Sequence, residues 1–209
     1  LSPFSALCGF RPRAELQEIF LAFSESEERF GELTAKLATG ARLEEIFSEL
    51  LLDIELPARF SETVGKADLL GDEAFLVLEA RDLALELLDK YPADSGAMVA
   101  LMLNRVELAA GEAIFLPAGN LHAYLSGLGL EVMAASDNVI RGGLTSKHID
   151  QVELQKITDF SELLEPLVKP RKLAEGFIEY PVKATEFRVY RAELTGSNLL
   201  ADLDLPAGA

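Results

Sequence analysis

The stretch Gly111-Glu-Ala-Ile-Phe-Leu-Pro117-Ala-Gly119-Asn-Leu-His122 decides how this sequence is interpreted, because it joins an apolar run to turn residues and a histidine. Gly111 permits a tight turn into the apolar run, and Pro117 and Gly119 then shape a bend. Such a bend would deliver the imidazole of His122 to the inside of a small barrel of strands. We therefore predict a β-rich region here, with His122 as a candidate metal ligand.

The spacing of this stretch, G-x5-P-x-G-x2-H, resembles the second half-motif of the cupin barrel, in which the histidine binds a metal. Cupins usually place an asparagine four residues later, and Ser126 stands at that position here. A single histidine on a β-rich segment is more often structural than a ligand. From the half-motif alone, both roles of His122 stay open.

The residues that follow carry a second and longer resemblance. Residues 122–147, HAYLSGLGLEVMAASDNVIRGGLTSK, resemble the signature of the type I phosphomannose isomerases almost position for position. Gly142 stands where many members have alanine and Ser146 where most have proline, and these departures bear on local rigidity rather than chemistry. Residues 6–12 also resemble the family's entry into its helical domain. The resemblance is tight from about residue 92 to 155 and looser elsewhere.

The family interconverts mannose 6-phosphate and fructose 6-phosphate through a cis-enediol(ate), with zinc in the site. The resemblance therefore implies a Zn²⁺ cofactor and a sugar phosphate substrate. His122 matches the family's C-terminal zinc ligand, and neutral imidazole suits zinc. Arg141 matches the proposed catalytic arginine, whose permanent charge can stabilise negative charge on the enediolate oxygens. A structural ion pair is the alternative for Arg141.

Four further residues of the signature are candidates for substrate binding or support. Lys147 matches a polar site position, where its ammonium could meet the phosphate or a substrate oxygen, and an exposed salt bridge is the alternative. Glu131 and Asp137 could support the zinc shell, orient the arginine or shuttle protons, or be purely structural. Tyr124 is expected to line the pocket and donate a hydrogen bond. We interpret His148 as a histidine that does not bind the metal.

The residues before the deciding stretch have a helical pattern. Over residues 13–91, apolar residues recur at i, i+3, i+4 and i+7, and residues 16–23 and 43–51 show this spacing. Asp72 could cap a long helix over residues 73–90. We predict four or five helices with short connections.

After Gly96 the pattern becomes typical of strands, at residues 97–106, 112–116, 130–135 and, in alternation, 187–192. The fold class predicted is α+β, a helical insert domain followed by antiparallel cupin-type (jelly-roll) β-barrel strands, with the barrel incomplete in this chain. The predicted division gives a helical domain at residues 1–93, the half of the barrel that carries the site at 94–160, and the start of a C-terminal β-domain at 161–209.

Composition limits the partners. The formal net charge of −16 over 209 residues argues against nucleic acid or an anionic membrane as the main partner, because both favour clustered Lys and Arg. Cys8 is the only cysteine, so neither a disulfide framework nor a thiolate metal cage is expected. No apolar run reaches the ~18 residues of a membrane span, and no signal peptide is evident. The expected location is the cytoplasm.

The family's other zinc ligands are missing from this sequence. They are a Gln and a His close together on an early strand and a Glu in an Asn-His-Lys-Pro-Glu segment, and neither motif occurs here. The sequence has only two histidines in all. We expect a partial chain that lacks the N-terminal metal-binding segment and the C-terminal end, and that is inactive alone. The sequence does not indicate the oligomeric state or the proton-transferring base.

Two alternatives from other functional classes stay open. One is a non-catalytic, cupin-like module that binds sugar phosphates or regulates, having kept Arg141 and Lys147 and lost the metal. The other is an interaction module in which the N-terminal helices dock a partner. An upstream Gln-x-His and Asn-His-Lys-Pro-Glu in the same reading frame would favour the enzyme over both.

Overall fold

Helices occupy most of the first hundred residues in the computed structural model, which describes residues 3–67, 75–135, 139–147 and 149–193. They are α1 (Arg13–Ser24), α2 (Glu28–Ala38), α3 (Leu43–Leu52), α4 (Leu56–Glu62), a 3₁₀ turn (Val64–Lys66), α5 (Phe75–Lys90) and α6 (Gly96–Ala100). The predicted cap at Asp72 lies outside the described residues.

The apolar faces predicted for the helices form the core. On α1 the buried residues are Leu16, Ile19, Phe20 and Phe23, and on α3 they are Leu43, Ile46, Phe47, Leu50 and Leu51. Four rings from α1, α2 and α4 pack against one another with centroids 5.3–5.9 Å apart, namely Phe20, Phe23, Phe30 and Phe60. The spacing-based prediction of these helices is confirmed.

A three-stranded antiparallel sheet packs on this helical core. It consists of β1 (Phe4–Phe10), β2 (Leu103–Leu108) and β3 (His122–Ser126), with β1 in the centre. Ala123 and Leu125 of β3 pack against the core, while the alternate residues of β3 are exposed. Because side chains alternate along a strand, His122 and Tyr124 share the face of the sheet that points away from the core.

A second antiparallel sheet contains β4 (Arg171–Ala174), β5 (Phe177–Tyr180) and β6 (Val189–Ala192), in that order. Helix α7 (Gln151–Ile157) precedes it. The Tyr180 hydroxyl donates to the carbonyl oxygen of Gly111 at 2.6 Å, and Ile114 forms an isolated antiparallel bridge with Leu167. The second sheet and the segment before it therefore hold the stretch that leads to His122.

Several predicted strands are wrong. Residues 97–106 contain nearly all of α6 and then the start of β2, because the apolar residues 97–103 are all buried and show no period that separates helix from strand. Residues 112–116 form only the bridge at Ile114, and residues 130–135 form no strand, with Leu130 90% exposed. Of the predicted strand at 187–192, residues 189–192 are confirmed as β6.

The α+β class is confirmed, and no closed barrel exists within the part of the chain that the structure describes. The first strand, β1, pairs with strands that lie about a hundred residues further along the chain, so residues 4–10 belong to the sheet rather than to the helices. The division at residues 93 and 160 stays a prediction. None of the described helices has the length and apolar character that crossing a membrane requires.

Candidate functional site

His122 lies at the start of β3 with its side chain exposed, directly after the predicted bend. The bend is formed by an Asn120 N–H that donates to the Pro117 carbonyl at 3.2 Å, and by Gly119 at a φ of 83°. A side chain at Gly119 would come within 2.8 Å of the Ile157 carbonyl oxygen, so the close approach of α7 requires glycine there. The bend inferred from Pro117 and Gly119 is present.

The orientation of the His122 ring favours metal binding through one nitrogen. Nδ1 lies 3.1 Å from the Asn120 carbonyl oxygen. A carbonyl only accepts hydrogen bonds, so this contact places the proton on Nδ1 and leaves the Nε2 lone pair free. A hydrogen bond from the second ring nitrogen to a carbonyl is the usual support of a metal-binding histidine.

Tyr124 connects His122 to Glu131. Its ring centroid lies 5.7 Å from that of His122, and its hydroxyl donates to Glu131 Oε1 at 2.7 Å. The ring of Phe4 packs edge-on at 5.4 Å on Tyr124. Burial, together with the Glu131 carboxylate, raises the pKa of Tyr124 to about 12. Three of the six predicted site residues, His122, Tyr124 and Glu131, are therefore adjacent.

Arg141 and Lys147 lie on a segment, residues 139–147, that contains neither helix nor strand. Both side chains are exposed, and among the described residues neither makes a hydrogen bond or an ion pair. The segment approaches His122 through Gly142, where a Cβ would lie 3.0 Å from Leu121 Cδ1. Asp137 and His148 lie outside the described residues.

The residues of this region offer few metal ligands. Within the described ranges, no group of three or more His, Cys, Asp or Glu side chains is placed to hold a metal ion. His122 provides one free imidazole nitrogen, and the nearby Glu131 carboxylate already accepts from Tyr124. The donor set fits zinc through His122, and it requires further ligands from elsewhere.

Sequence reasoning missed Asn104 and Asp94, two polar residues that organise the site. The side-chain amide of Asn104, which lies opposite Cys8 in the sheet, is 3.0–3.3 Å from four carbonyl oxygens, those of Cys8, Gly9, Phe10 and Leu163. Asp94 bonds to the segment of Arg141. An asparagine inside a β-prone run could have indicated the role of Asn104. Nothing in the local sequence indicates the contact of Asp94, which joins residues fifty positions apart.

Comparison with known proteins agrees with this description. No protein-family model matches the sequence. The chain is 32% identical to mannose-6-phosphate isomerase of Rattus norvegicus and 32% identical to mannose-6-phosphate isomerase 1 of Arabidopsis thaliana. These alignments cover 94% and 99% of this chain but 51% and 48% of the relatives. The chain thus spans about half the length of the curated relatives that it matches.

Solved structures give the same result. A mannose 6-phosphate isomerase from Salmonella typhimurium, bound to its substrate fructose 6-phosphate and to zinc, matches with a TM-score of 0.74 and 29% identity. The match covers 90% of this chain and 47% of that one. A second, zinc-bound mannose 6-phosphate isomerase matches over 91% of this chain with the same TM-score of 0.74.

The fold is mixed α+β and matches that of solved mannose 6-phosphate isomerases. Over more than nine-tenths of its length, the chain is homologous to the mannose-6-phosphate isomerases. The resemblance inferred from residues 122–147 is thereby confirmed.

Proposed function

We propose that this chain carries part of the active site of a zinc-dependent isomerase that interconverts mannose 6-phosphate and fructose 6-phosphate. The observation that supports this best is His122, whose Nδ1 is hydrogen-bonded to a backbone carbonyl so that Nε2 is free for a metal. It stands in a chain whose relatives are named mannose-6-phosphate isomerases. The neighbour bound to fructose 6-phosphate and zinc is consistent with the same substrate and cofactor.

In this proposal His122 holds Zn²⁺, which would orient the sugar and polarise its C1 and C2 oxygens when bound. A proton then moves between C1 and C2 through a cis-enediol(ate). Arg141 has an exposed guanidinium without a protein partner among the described residues, so it is available to stabilise negative charge on the enediolate oxygens. Lys147, exposed on the same segment, binds the phosphate or a substrate oxygen.

The carboxylates have supporting roles in the proposal. Tyr124, whose ring neighbours that of His122, donates to Glu131 and so favours one orientation of that carboxylate. The Tyr124 hydroxyl is protonated at neutral pH and acts as a donor, and its raised pKa extends this role to more alkaline pH. Glu131 and Asp137 remain candidates for supporting the zinc shell, orienting Arg141 or shuttling protons.

We further propose that the chain of 209 residues is inactive alone. His122 is the single imidazole ligand of the described site, and no cluster of three or more potential ligands exists among the described residues. One imidazole does not hold zinc tightly, since catalytic zinc sites use about three protein ligands. In this proposal the remaining ligands come from outside the described residues.

A coupled mannose 6-phosphate isomerase assay with zinc tests the proposal on two proteins. One is the 209-residue chain alone, and the other is a chimaera in which this chain replaces the matching part of the Salmonella typhimurium enzyme. We expect turnover by the chimaera only. In the chimaera, His122→Ala should lose zinc and rate together, whereas Arg141→Ala should keep zinc and lose rate. A chimaera that binds zinc and fructose 6-phosphate without isomerising it would refute the enzymatic proposal.

A non-catalytic sugar-phosphate module is the second candidate, favoured by the lack of a ligand cluster among the described residues. Fructose 6-phosphate binding to the 209-residue chain in the presence of a chelator distinguishes the two. Binding that disappears in a variant carrying both Arg141→Ala and Lys147→Ala would support the module. An active chimaera would favour the enzyme.

A further inference from the structure

Asp94 joins two segments that are fifty residues apart. It lies between α5 and α6, half-buried, and its two carboxylate oxygens accept from different segments. Oδ1 accepts from the Gly96 N–H at 2.8 Å, and Oδ2 accepts from the Leu144 N–H at 2.7 Å. Hydrogen bonds from backbone N–H groups to a carboxylate are charge-assisted and stronger than neutral ones.

The two segments are also in close backbone contact. A Cβ at Gly143 would lie 2.8 Å from the Cα of Gly96, and a Cβ at Gly96 would lie 3.0 Å from the Cα of Gly143. Gly143 has a φ of 142° and Leu144 has a φ of 54°. The left-handed conformation is unfavourable for leucine, so surrounding contacts must maintain it.

One side of this contact belongs to a buried helix, and the other belongs to a segment without helix or strand. Helix α6 begins two residues after Asp94, and its residues Ala97, Met98, Val99 and Ala100 are at most 3% exposed. The Ala97 N–H donates to the Asp94 carbonyl at 3.0 Å, which attaches the aspartate to the start of that helix. Residues 139–147 have no helix or strand of their own, so their position depends on contacts of this kind.

The same segment also packs against Leu121, the residue that precedes β3. Gly142 approaches Leu121, which directly precedes His122, and Leu144 packs partly buried against the hydrophobic core. Arg141 therefore precedes a stretch of three residues that contacts Leu121 on one side and the turn at Asp94 on the other. These contacts connect the residues that follow Arg141 to the residue that precedes His122.

We propose that Asp94 is a positioning residue of the isomerase site: its carboxylate holds the segment that carries Arg141 and Lys147 in place relative to His122. Asp94 touches neither substrate nor metal in this proposal and acts through the Leu144 backbone. The inference rests on the proposed function, because it assigns the consequence of the contact to that site.

Amide hydrogen exchange, measured by NMR on the full 209-residue chain, tests the contact itself. The Leu144 amide should exchange about tenfold faster or more in Asp94→Ala, because it loses a charged acceptor. Asp94→Asn, which keeps one carbonyl oxygen, should give a smaller increase. The control Asp89→Asn, at an exposed position of α5, should leave Leu144 unchanged. Equal exchange at Leu144 in Asp94→Ala and the unsubstituted chain would overturn the proposal.

Gly143→Ala provides a second variant if Asp94→Ala does not fold. It retains the carboxylate and forces the two backbones apart, so the Leu144 amide should again exchange faster. Unchanged exchange in both Gly143→Ala and Asp94→Asn would also overturn the proposal.

Kinetics of the chimaera test the catalytic consequence. Asp94→Ala should lower kcat about tenfold or more while zinc content stays unchanged, because His122 is held by its own bend, and Asp94→Asn should recover part of the rate. Faster exchange at Leu144 with wild-type kcat and KM would refute the positioning role. An unsubstituted chimaera that binds zinc and fructose 6-phosphate without isomerising it would instead count against the proposed isomerase, and the exchange data would still decide whether Asp94 holds the segment.

Discussion

At the scale of single residues, two effects raise the pKa of the Tyr124 hydroxyl. Burial is the larger and raises its pKa, and the Glu131 carboxylate, which accepts the proton at 2.7 Å, raises it further. Both effects disfavour phenolate, which would be partly desolvated and would stand next to a second negative charge. The pair therefore keeps the hydroxyl as a donor and the carboxylate as an acceptor.

This arrangement predicts that Glu131→Gln lowers the pKa of Tyr124 from about 12. The amide oxygen can still accept the hydrogen bond, but the negative charge is lost. The pKa should nevertheless remain above the ordinary tyrosine value of about 10, because burial is the larger cause. Phenolate absorbance during an alkaline titration, with Tyr124→Phe subtracted to isolate this residue, measures the change. The same pKa in both proteins would show that the carboxylate has no influence.

Cys8 gives a pH-dependent prediction in the central strand. Burial raises the pKa of its thiol to about 11, above the unfolded value of about 8.5. A raised folded pKa means that the full stability is present below the unfolded pKa and is lost as the pH rises through the folded pKa. The free energy of unfolding should therefore fall by about 1.4 kcal/mol per pH unit between these values on account of Cys8.

Urea unfolding of wild type and Cys8→Ala, without zinc and from pH 8 to 11, measures this contribution. The lysines and tyrosines titrate in both proteins, so the difference between the two curves isolates the thiol. We expect that difference to change by an amount on the order of 2 kcal/mol across the range. Parallel curves would show that the Cys8 thiol does not resist ionisation.

At the scale of secondary-structure elements, packing of phenylalanine rings holds α1, α2 and α4 together. Phe30 of α2 is fully buried and contacts three rings, those of Phe20, Phe23 and Phe60, at centroid distances of 5.3–5.9 Å. Phe30→Ala should lower the free energy of unfolding by about 3–5 kcal/mol, because it removes these contacts and leaves a cavity. Thermal or urea unfolding followed by circular dichroism measures the loss.

Phe75 is the matched control for this prediction. It lies on α5 with its side chain 79% exposed, so Phe75→Ala should change the free energy of unfolding by no more than about 0.5 kcal/mol. Similar losses in Phe30→Ala and Phe75→Ala would contradict the packing described here.

The elements also show which features of the sequence could be interpreted in advance. The helices over residues 13–24 and 43–52 were predictable because one side of each faces solvent, which leaves a clear period of apolar residues. β1 is buried along nearly all of its length, so its sequence shows no alternation that would indicate a strand. Local patterns fail where an element has no exposed side.

In the candidate site too, local patterns predict only part of the arrangement. His122 and Tyr124, two residues apart, share one face of β3, as any strand would place them. The bond between Tyr124 and Glu131 depends on a segment without regular structure, and the bond of Asp94 to Leu144 depends on tertiary contact. The resemblance to a family identified Tyr124 and Glu131 as candidate site residues, whereas the two hydrogen bonds are visible only in the folded structure.

At the scale of the whole molecule, segments that are far apart in the sequence pack together in one sheet and one core. β1 lies between β2 and β3 in the sheet. The Leu163 N–H donates to the carbonyl oxygen of Phe10, the last residue of β1, at 2.8 Å. The ring of Phe160 lies 5.4 Å from Phe10 and 5.3 Å from Phe47, so residues well beyond the helices close the helical core. Helix α6 and the residues up to Leu103 are buried in the same core.

This interleaving predicts that residues 1–93 do not fold as an independent unit, although they contain five of the described helices. Such a fragment lacks α6, both neighbours of β1 and the ring of Phe160, so a large part of its core surface would be exposed to water. A fragment of residues 1–163 retains all of these. Far-UV circular dichroism with urea titration should show a cooperative transition for 1–163 and none for 1–93. A cooperative transition in 1–93 would instead establish the helical region as a domain that folds by itself.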